Sequence, residues 1–159
     1  AVQLADVMGA TVAATAREEY HSRLGRLGAD AVFDYKSDLA AKLSRFGAPD
    51  VILDTRINAY ADLDTEVAAQ DGQIVAIGNT ADQATIEPIT DAKSRELSYQ
   101  FMSMFNCSDY GSRLERLGRL CAVGDVSPVI ARRYDLTDAG EAQRAVLEDS
   151  FLGKLVLEA

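Results

Sequence analysis

The sequence predicts an α/β protein built on a doubly wound parallel sheet. Four apolar runs, TVAATA (11–16), AVFDY (31–35), VILDT (51–55) and QIVAIG (73–78), alternate with stretches of helical period. Each run is apolar almost without interruption instead of alternating with polar residues, the pattern of parallel strands covered on both faces by helices. The handedness of strand–helix–strand crossovers then restricts the order to a Rossmann-like sheet, and such sheets bind ligands at the carboxyl ends of their strands.

The elements follow in chain order. Val2, Leu4, Ala5 and Met8 form an apolar stripe at helical spacing with Gly9 as a stop, so residues 1–8 read as the end of a helix. No initiator Met precedes them, which points to a fragment or a processed chain. After the strand at 11–16, residues 18–27 return to helical period with Tyr20, Leu24 and Leu27 on one side and Gly28 closing the turn. The strand at 31–35 leads to DLAAKLSRF, a helix capped by Asp38 or Ser37 that should bury Leu39, Leu43 and Phe46. The third strand, 51–55, is followed by helical sequence at 59–70 and, after Gly72, by the fourth strand. Beyond residue 80 the rhythm changes to ATIEPI, a strand within ELSYQFMSMF, and a helix near 109–122 carrying Leu114, Leu117 and Leu120. SPVIARRYDL, a helix begun by Thr137 or Asp138 and running to about Asp149, and the closing strand GKLVLEA read as an appended unit. The division expected is a nucleotide-binding domain over 1–125 and a C-terminal segment over 126–159.

Composition narrows the class. A chain of 159 residues, 48% hydrophobic and 26% charged, is long enough to bury a core of its own. Within these residues there is no run of 18 apolar positions, no basic-then-apolar leader and no lipidation motif, so the cytosol is the default location. Cys107 and Cys121 lack CxxC spacing, which argues against a disulfide framework and against a zinc site built by this chain alone. The net charge of -9 disfavours nucleic acid and anionic membrane as partners. Twelve arginines stand against four lysines, a balance found in halophilic proteins and equally in those encoded by GC-rich genomes.

In a Rossmann site the first strand runs through a glycine-rich turn into the first helix, whose amides hold the pyrophosphate. Here the helix is present but its start is not, and no GxGxxG occurs in this chain, so motif alone does not support nucleotide binding. The residue after the second strand selects the cofactor: an acid accepts from a free ribose 2′-hydroxyl, and a cation accommodates a 2′-phosphate. Arg17 occupies that position and favours NADP(H), because a guanidinium pairs bidentately with phosphate. The alternative is that Arg17 is a solvated residue beside Glu18 and Glu19.

AVQLADVMGATVAATA, LGADAVFDYKSD, APDVILDT, DGQIVAIGN, SPVIARRYDLTDAGEAQRAVLED and GKLVLEA, taken together and in order, resemble the medium-chain dehydrogenase/reductase superfamily, in particular its quinone oxidoreductase and zeta-crystallin-like branch. The resemblance implies that a GroES-like catalytic domain, the first sheet strand and the pyrophosphate turn stand ahead of Ala1, and that 126–159 packs on that domain. It further implies roles by position. Arg17 faces the 2′-phosphate, Tyr35 lies along the adenosine, and Thr55 stands beside the cofactor. Gly78 and Asn79 approach the nicotinamide ribose, Phe101 and Met102 lie along the nicotinamide, and Lys154 approaches the phosphates. Each also has a plain structural reading as a turn, core or surface residue. The single histidine, His21, is expected on an exposed helix without a catalytic role.

The chain departs from the family pattern where DTVGG is replaced by DTRIN, so that Arg56, Ile57 and Asn58 make a bulkier loop at the nicotinamide end. A lysine that helps grip the 2′-phosphate in relatives is also replaced near Tyr20 and His21. The resemblance implies the cofactor-binding portion of an NADP(H)-dependent oxidoreductase acting on quinones, enones or other activated carbonyls, inactive in isolation and prone to pair with another copy through exposed sheet edges. A zinc-type alcohol dehydrogenase relationship leaves zinc dependence open. A noncatalytic nucleotide-binding or structural homologue remains an alternative; a methyltransferase is disfavoured because it calls for an acid in place of Arg17.

Overall fold

The computed structural model describes all 159 residues as seven short helices and seven strands. The helices are α1 (Val2–Val7), α2 (His21–Arg26), α3 (Leu39–Phe46), α4 (Ile57–Val67), α5 (Ile89–Ser94), α6 (Tyr110–Val123) and α7 (Ala139–Glu148). The strands are β1 (Ala13–Ala16), β2 (Ala31–Asp34), β3 (Val51–Asp54), β4 (Gln73–Ala76), β5 (Ser98–Phe101), β6 (Ile130–Asp135) and β7 (Lys154–Glu158). No helix is long and apolar enough to cross a membrane.

The strands form three ladders, β1-β2, β3-β4-β5 and β6-β7. Both pairings in β3-β4-β5 are parallel, as is β6 with β7. The mixed α/β class and the Rossmann-like reading therefore hold.

Two compact units are distinguishable. One contains Thr15–Glu18 and Phe33–Tyr110. Its core is the contact of α4 with β4, where Ile57, Ala61, Ile74 and Ala76 are buried and Ile52, Ile86, Leu97 and Tyr99 pack around them. The prediction of cover on both faces fails for β3: Ile52 and Asp54 turn inward, whereas Val51 and Leu53 are 60% and 46% exposed. Ile52 packs against the α4 core, and an apolar run alone does not say whether a second layer lies on the opposite face. α3 is capped as expected, the Asp38 carboxylate accepting from the Ala41 amide at 3.1 Å. Leu39 is buried and Leu43 half-buried, but Phe46 lies at the surface because it ends the helix against Gly47; its ring still meets Phe33 edge to face. α4 begins two residues earlier than the sequence indicated, since the Ile57 amide finds an acceptor in the Gly78 carbonyl at 3.3 Å.

The other unit contains Ala1–Ala14, Glu19–Val32 and Gly111–Ala159. Gln3 joins its two ends by accepting from the Ser127 amide at 2.6 Å and donating to the Ser127 carbonyl at 2.9 Å. Gly28, at φ +97°, must be glycine twice over: its φ is left-handed, and a Cβ there would overlap the Asp6 carboxylate. The predicted C-terminal helix and strand are α7 and β7, and β6 supplies β7 with a parallel partner.

Candidate functional site

Five of the strands end beside a residue named from the sequence. Arg17 directly follows β1, Tyr35 follows β2, Thr55 follows β3, Gly78 and Asn79 come just after β4, and Phe101 and Met102 close β5. In the register of the parallel ladder Asp54 stands opposite Ala76 and Ala76 opposite Phe101, so the carboxyl ends of β3, β4 and β5 finish level with one another. A level edge of parallel strand ends is the place where open α/β sheets hold ligands.

The structure brings several of these residues into contact. The Met102 amide donates to the Ala76 carbonyl at 2.9 Å, tying the end of β5 to β4. A Cβ on Gly78 would overlap the Thr55 carbonyl oxygen, so glycine is what lets the chain leaving β4 pass the end of β3. Asn79 donates to the Ala81 carbonyl at 3.0 Å. Phe101 and Met102 are 69% and 52% exposed, available apolar surface and not core. Tyr35 is half-buried with the Lys36 ammonium 5.9 Å from its ring centroid, and Arg17 and Thr55 are exposed. Lys154 opens β7, in the other compact unit, with its amide bonded to the Val129 carbonyl at 2.8 Å.

Beneath the edge lies a feature not anticipated from the sequence. Asp54 and Asp64 are each 6% exposed, and one carboxylate oxygen of each has no hydrogen-bond partner. The other Asp54 oxygen accepts from the Arg56 amide at 2.5 Å, holding the turn out of β3. Burial, then the Asp54 charge and a hydrogen bond to Asp54, push Asp64 up to about 8, well above the usual carboxylate range. One signal was legible: DLDT in the middle of a helix places an acid on the buried face of α4. Its partner ten residues earlier was not. Nearby, Thr65 donates to the Ala61 carbonyl or shares its hydroxyl with Tyr99, both at 2.6 Å, and Arg95 donates to the Thr65, Glu66 and Ala68 carbonyls at the end of α4.

A second missed residue is Asn58, in the first turn of α4. Its side chain accepts from the Thr80 and Ala81 amides and donates to the Ala81 and Gln83 carbonyls. The replacement of glycine by DTRIN marked this position as unusual without indicating what it bonds.

Comparison with known proteins identifies the fold's relatives. A sequence model described as zinc-binding dehydrogenase matches residues 27–157. The crystal structure of an NAD-dependent alcohol dehydrogenase superposes with a TM-score of 0.88 at 28% identity, over 99% of this chain and 46% of that one. The quinone oxidoreductase from Thermus thermophilus, solved also with NADPH, superposes with a TM-score of 0.84 at 27% identity, over 99% of this chain and 52% of that one. Polyketide synthase GfsB of Streptomyces halstedii is 31% identical over 159 residues, 99% of this chain and 3% of that protein. Trans-enoyl reductase tazE of Aspergillus terreus is 54% identical over 44 residues, 27% of this chain and 14% of that protein. The chain thus spans about half of the solved structures and a small part of the curated relatives.

The family description implies zinc, and the residues here do not fit it. No three His, Cys, Asp or Glu side chains converge to hold a metal ion. His21 is half-buried at the start of α2, Cys107 half-buried after β5, and Cys121 exposed on α6. A zinc ion would need ligands from outside these residues. The family match over most of the chain, the superposition on two oxidoreductases and the level row of strand ends lead to one assignment: the chain belongs to the zinc-binding dehydrogenase family of medium-chain oxidoreductases and carries its Rossmann-like cofactor-binding domain.

Proposed function

We propose that this chain binds NADP(H) for an enzyme that reduces activated double bonds or carbonyls, with an enoyl substrate favoured over a quinone. The observation that carries the cofactor choice is Arg17, an exposed guanidinium set directly after β1, where an acid would select the unphosphorylated ribose. The likeness to trans-enoyl reductase tazE and to a polyketide synthase favours the enoyl substrate. Bound NADPH supplies the hydride. The chain's own residues position it: Arg17 pairs with the 2′-phosphate, and Tyr35 lies along the adenosine. Thr55 stands beside the cofactor, Gly78 and Asn79 meet the nicotinamide ribose, and Phe101 and Met102 shield the nicotinamide face from water.

The test is nicotinamide consumption by the full-length protein with a crotonyl thioester, a benzoquinone and an aliphatic aldehyde, each with NADPH and with NADH. The reading requires NADPH preference and fastest turnover on the thioester. Arg17→Ala should lower the NADPH-to-NADH preference by roughly 10- to 100-fold, because a charge-assisted bidentate contact is lost only with the phosphorylated cofactor. Equal use of both cofactors by the unsubstituted protein would overturn the NADP assignment. Turnover confined to the aldehyde would overturn the substrate class.

A further inference from the structure

We infer that Asn58 is a positioning residue for the nicotinamide end of the dinucleotide site, fixing the loop after β4 in the shape the cofactor meets; this rests on the reading of Gly78 and Asn79 given above. The argument starts from the capacity of a neutral amide, two N–H donors and two acceptor lone pairs. Asn58 directs both functions at one loop. Oδ1 accepts from Thr80 at 2.9 Å and from Ala81 at 3.3 Å, while Nδ2 donates to the Ala81 carbonyl at 3.0 Å and to the Gln83 carbonyl.

The loop is held along α4 at further points. The Ile57 amide donates to the Gly78 carbonyl at 3.3 Å, and one helical turn beyond Asn58 the Asp62 carboxylate accepts from the Glu87 amide at 3.1 Å. Residues Thr80–Thr85 are all exposed and belong to no helix or strand, so packing does little to order them. The side chain of Asn58 supplies that order. It does so from a rigid element, and it acts on the residues immediately after Gly78 and Asn79. Ordering them in advance removes an entropic cost that the cofactor would otherwise meet on binding.

The residue type matters. Aspartate at this position keeps the acceptor half but sets a carboxylate against the Ala81 and Gln83 carbonyls; alanine removes both halves. A glycine, as in the pattern DTVGG, offers the loop no side-chain partner. Asn58 of DTRIN supplies that partner from the first turn of α4.

The experiment compares Asn58→Ala and Asn58→Asp in the full-length protein. Three quantities are read: the affinity for NADPH, the affinity for adenosine 2′,5′-bisphosphate, and amide hydrogen exchange at Thr80 and Ala81. Asn58→Ala should weaken NADPH roughly tenfold, leave the adenosine bisphosphate within about twofold, and speed exchange at both amides. Asn58→Asp should keep those amides protected yet still weaken NADPH, since the carbonyl contacts are lost. It also provides the comparison if the alanine variant does not fold. Faster exchange with unchanged NADPH affinity would make Asn58 merely structural and overturn the inference, as would equal weakening of both ligands. Failure of the unsubstituted protein to bind NADPH would instead remove the reading of the site, and the inference with it.

Discussion

Helices α4 and α6 differ in what their apolar positions do. α4 buries Ile57, Ala61, Asp64, Thr65 and Val67, the first two in the core it forms with β4, while α6, three residues longer, buries nothing. Leu114 and Val123 of α6 are 62% and 72% exposed, although both helices present apolar residues at helical spacing. The comparison teaches that periodicity identifies a helix and its apolar side, but not whether that side is covered. It also locates the stability of the Phe33–Tyr110 unit: α4 covers β4, and it carries the polar groups that hold the strand ends in place.

Four measurements would break or sharpen this contrast. The largest effect is expected for Ile74→Ala, which removes a side chain with 0% exposure from the centre of β4 beneath α4 and should cost about 3–4 kcal/mol in denaturant unfolding. A loss under about 1 kcal/mol would mean that the α4 layer is not the core described here.

The second concerns the acidic pair. The folded chain holds the Asp64 proton up to about 8, against the usual value of 3.8 when unfolded. Between those values the folded state binds more protons than the unfolded, so stability falls as pH rises across that window. Asp64→Asn cannot ionise. Between about pH 5 and about pH 8 the unsubstituted chain should therefore lose on the order of 3 kcal/mol more than the variant. Parallel pH profiles for the two proteins would show that Asp64 is not buried beside Asp54.

Next in size is Thr65→Val, which keeps the shape under α4 but leaves the Tyr99 hydroxyl without its partner at 2.6 Å. A loss of about 1–2 kcal/mol is expected, and Tyr99→Phe in the same background should restore part of it. The smallest effect belongs to α6: Leu114→Ala should change stability by less than about 0.5 kcal/mol, because the side chain is already in water. A loss comparable to that of Ile74→Ala would show that α6 is covered in solution.

Much of the fold was legible because its signals are local. Gly9 and Gly28 stop helices through positive φ, Asp38 caps α3 with its own carboxylate, and each apolar run carries its strand character within four to six residues. Arg17 was named from its place after a strand, and Tyr35, Thr55, Gly78, Asn79, Phe101 and Met102 from the family resemblance; all of them stand at or just beyond strand ends. Lys154 was named from the same resemblance and belongs to the other compact unit.

What the sequence by itself determined is the succession of strands and helices, their caps, and the residues standing just beyond each strand, because these depend on neighbours a few positions away. Only the tertiary structure decided which apolar faces are covered, that Asp54 and Asp64 share one buried environment, and that Asn58 reaches a loop more than twenty residues downstream. Burial and hydrogen bonding across such separations arise when distant segments meet. No periodicity or spacing within either segment records that meeting.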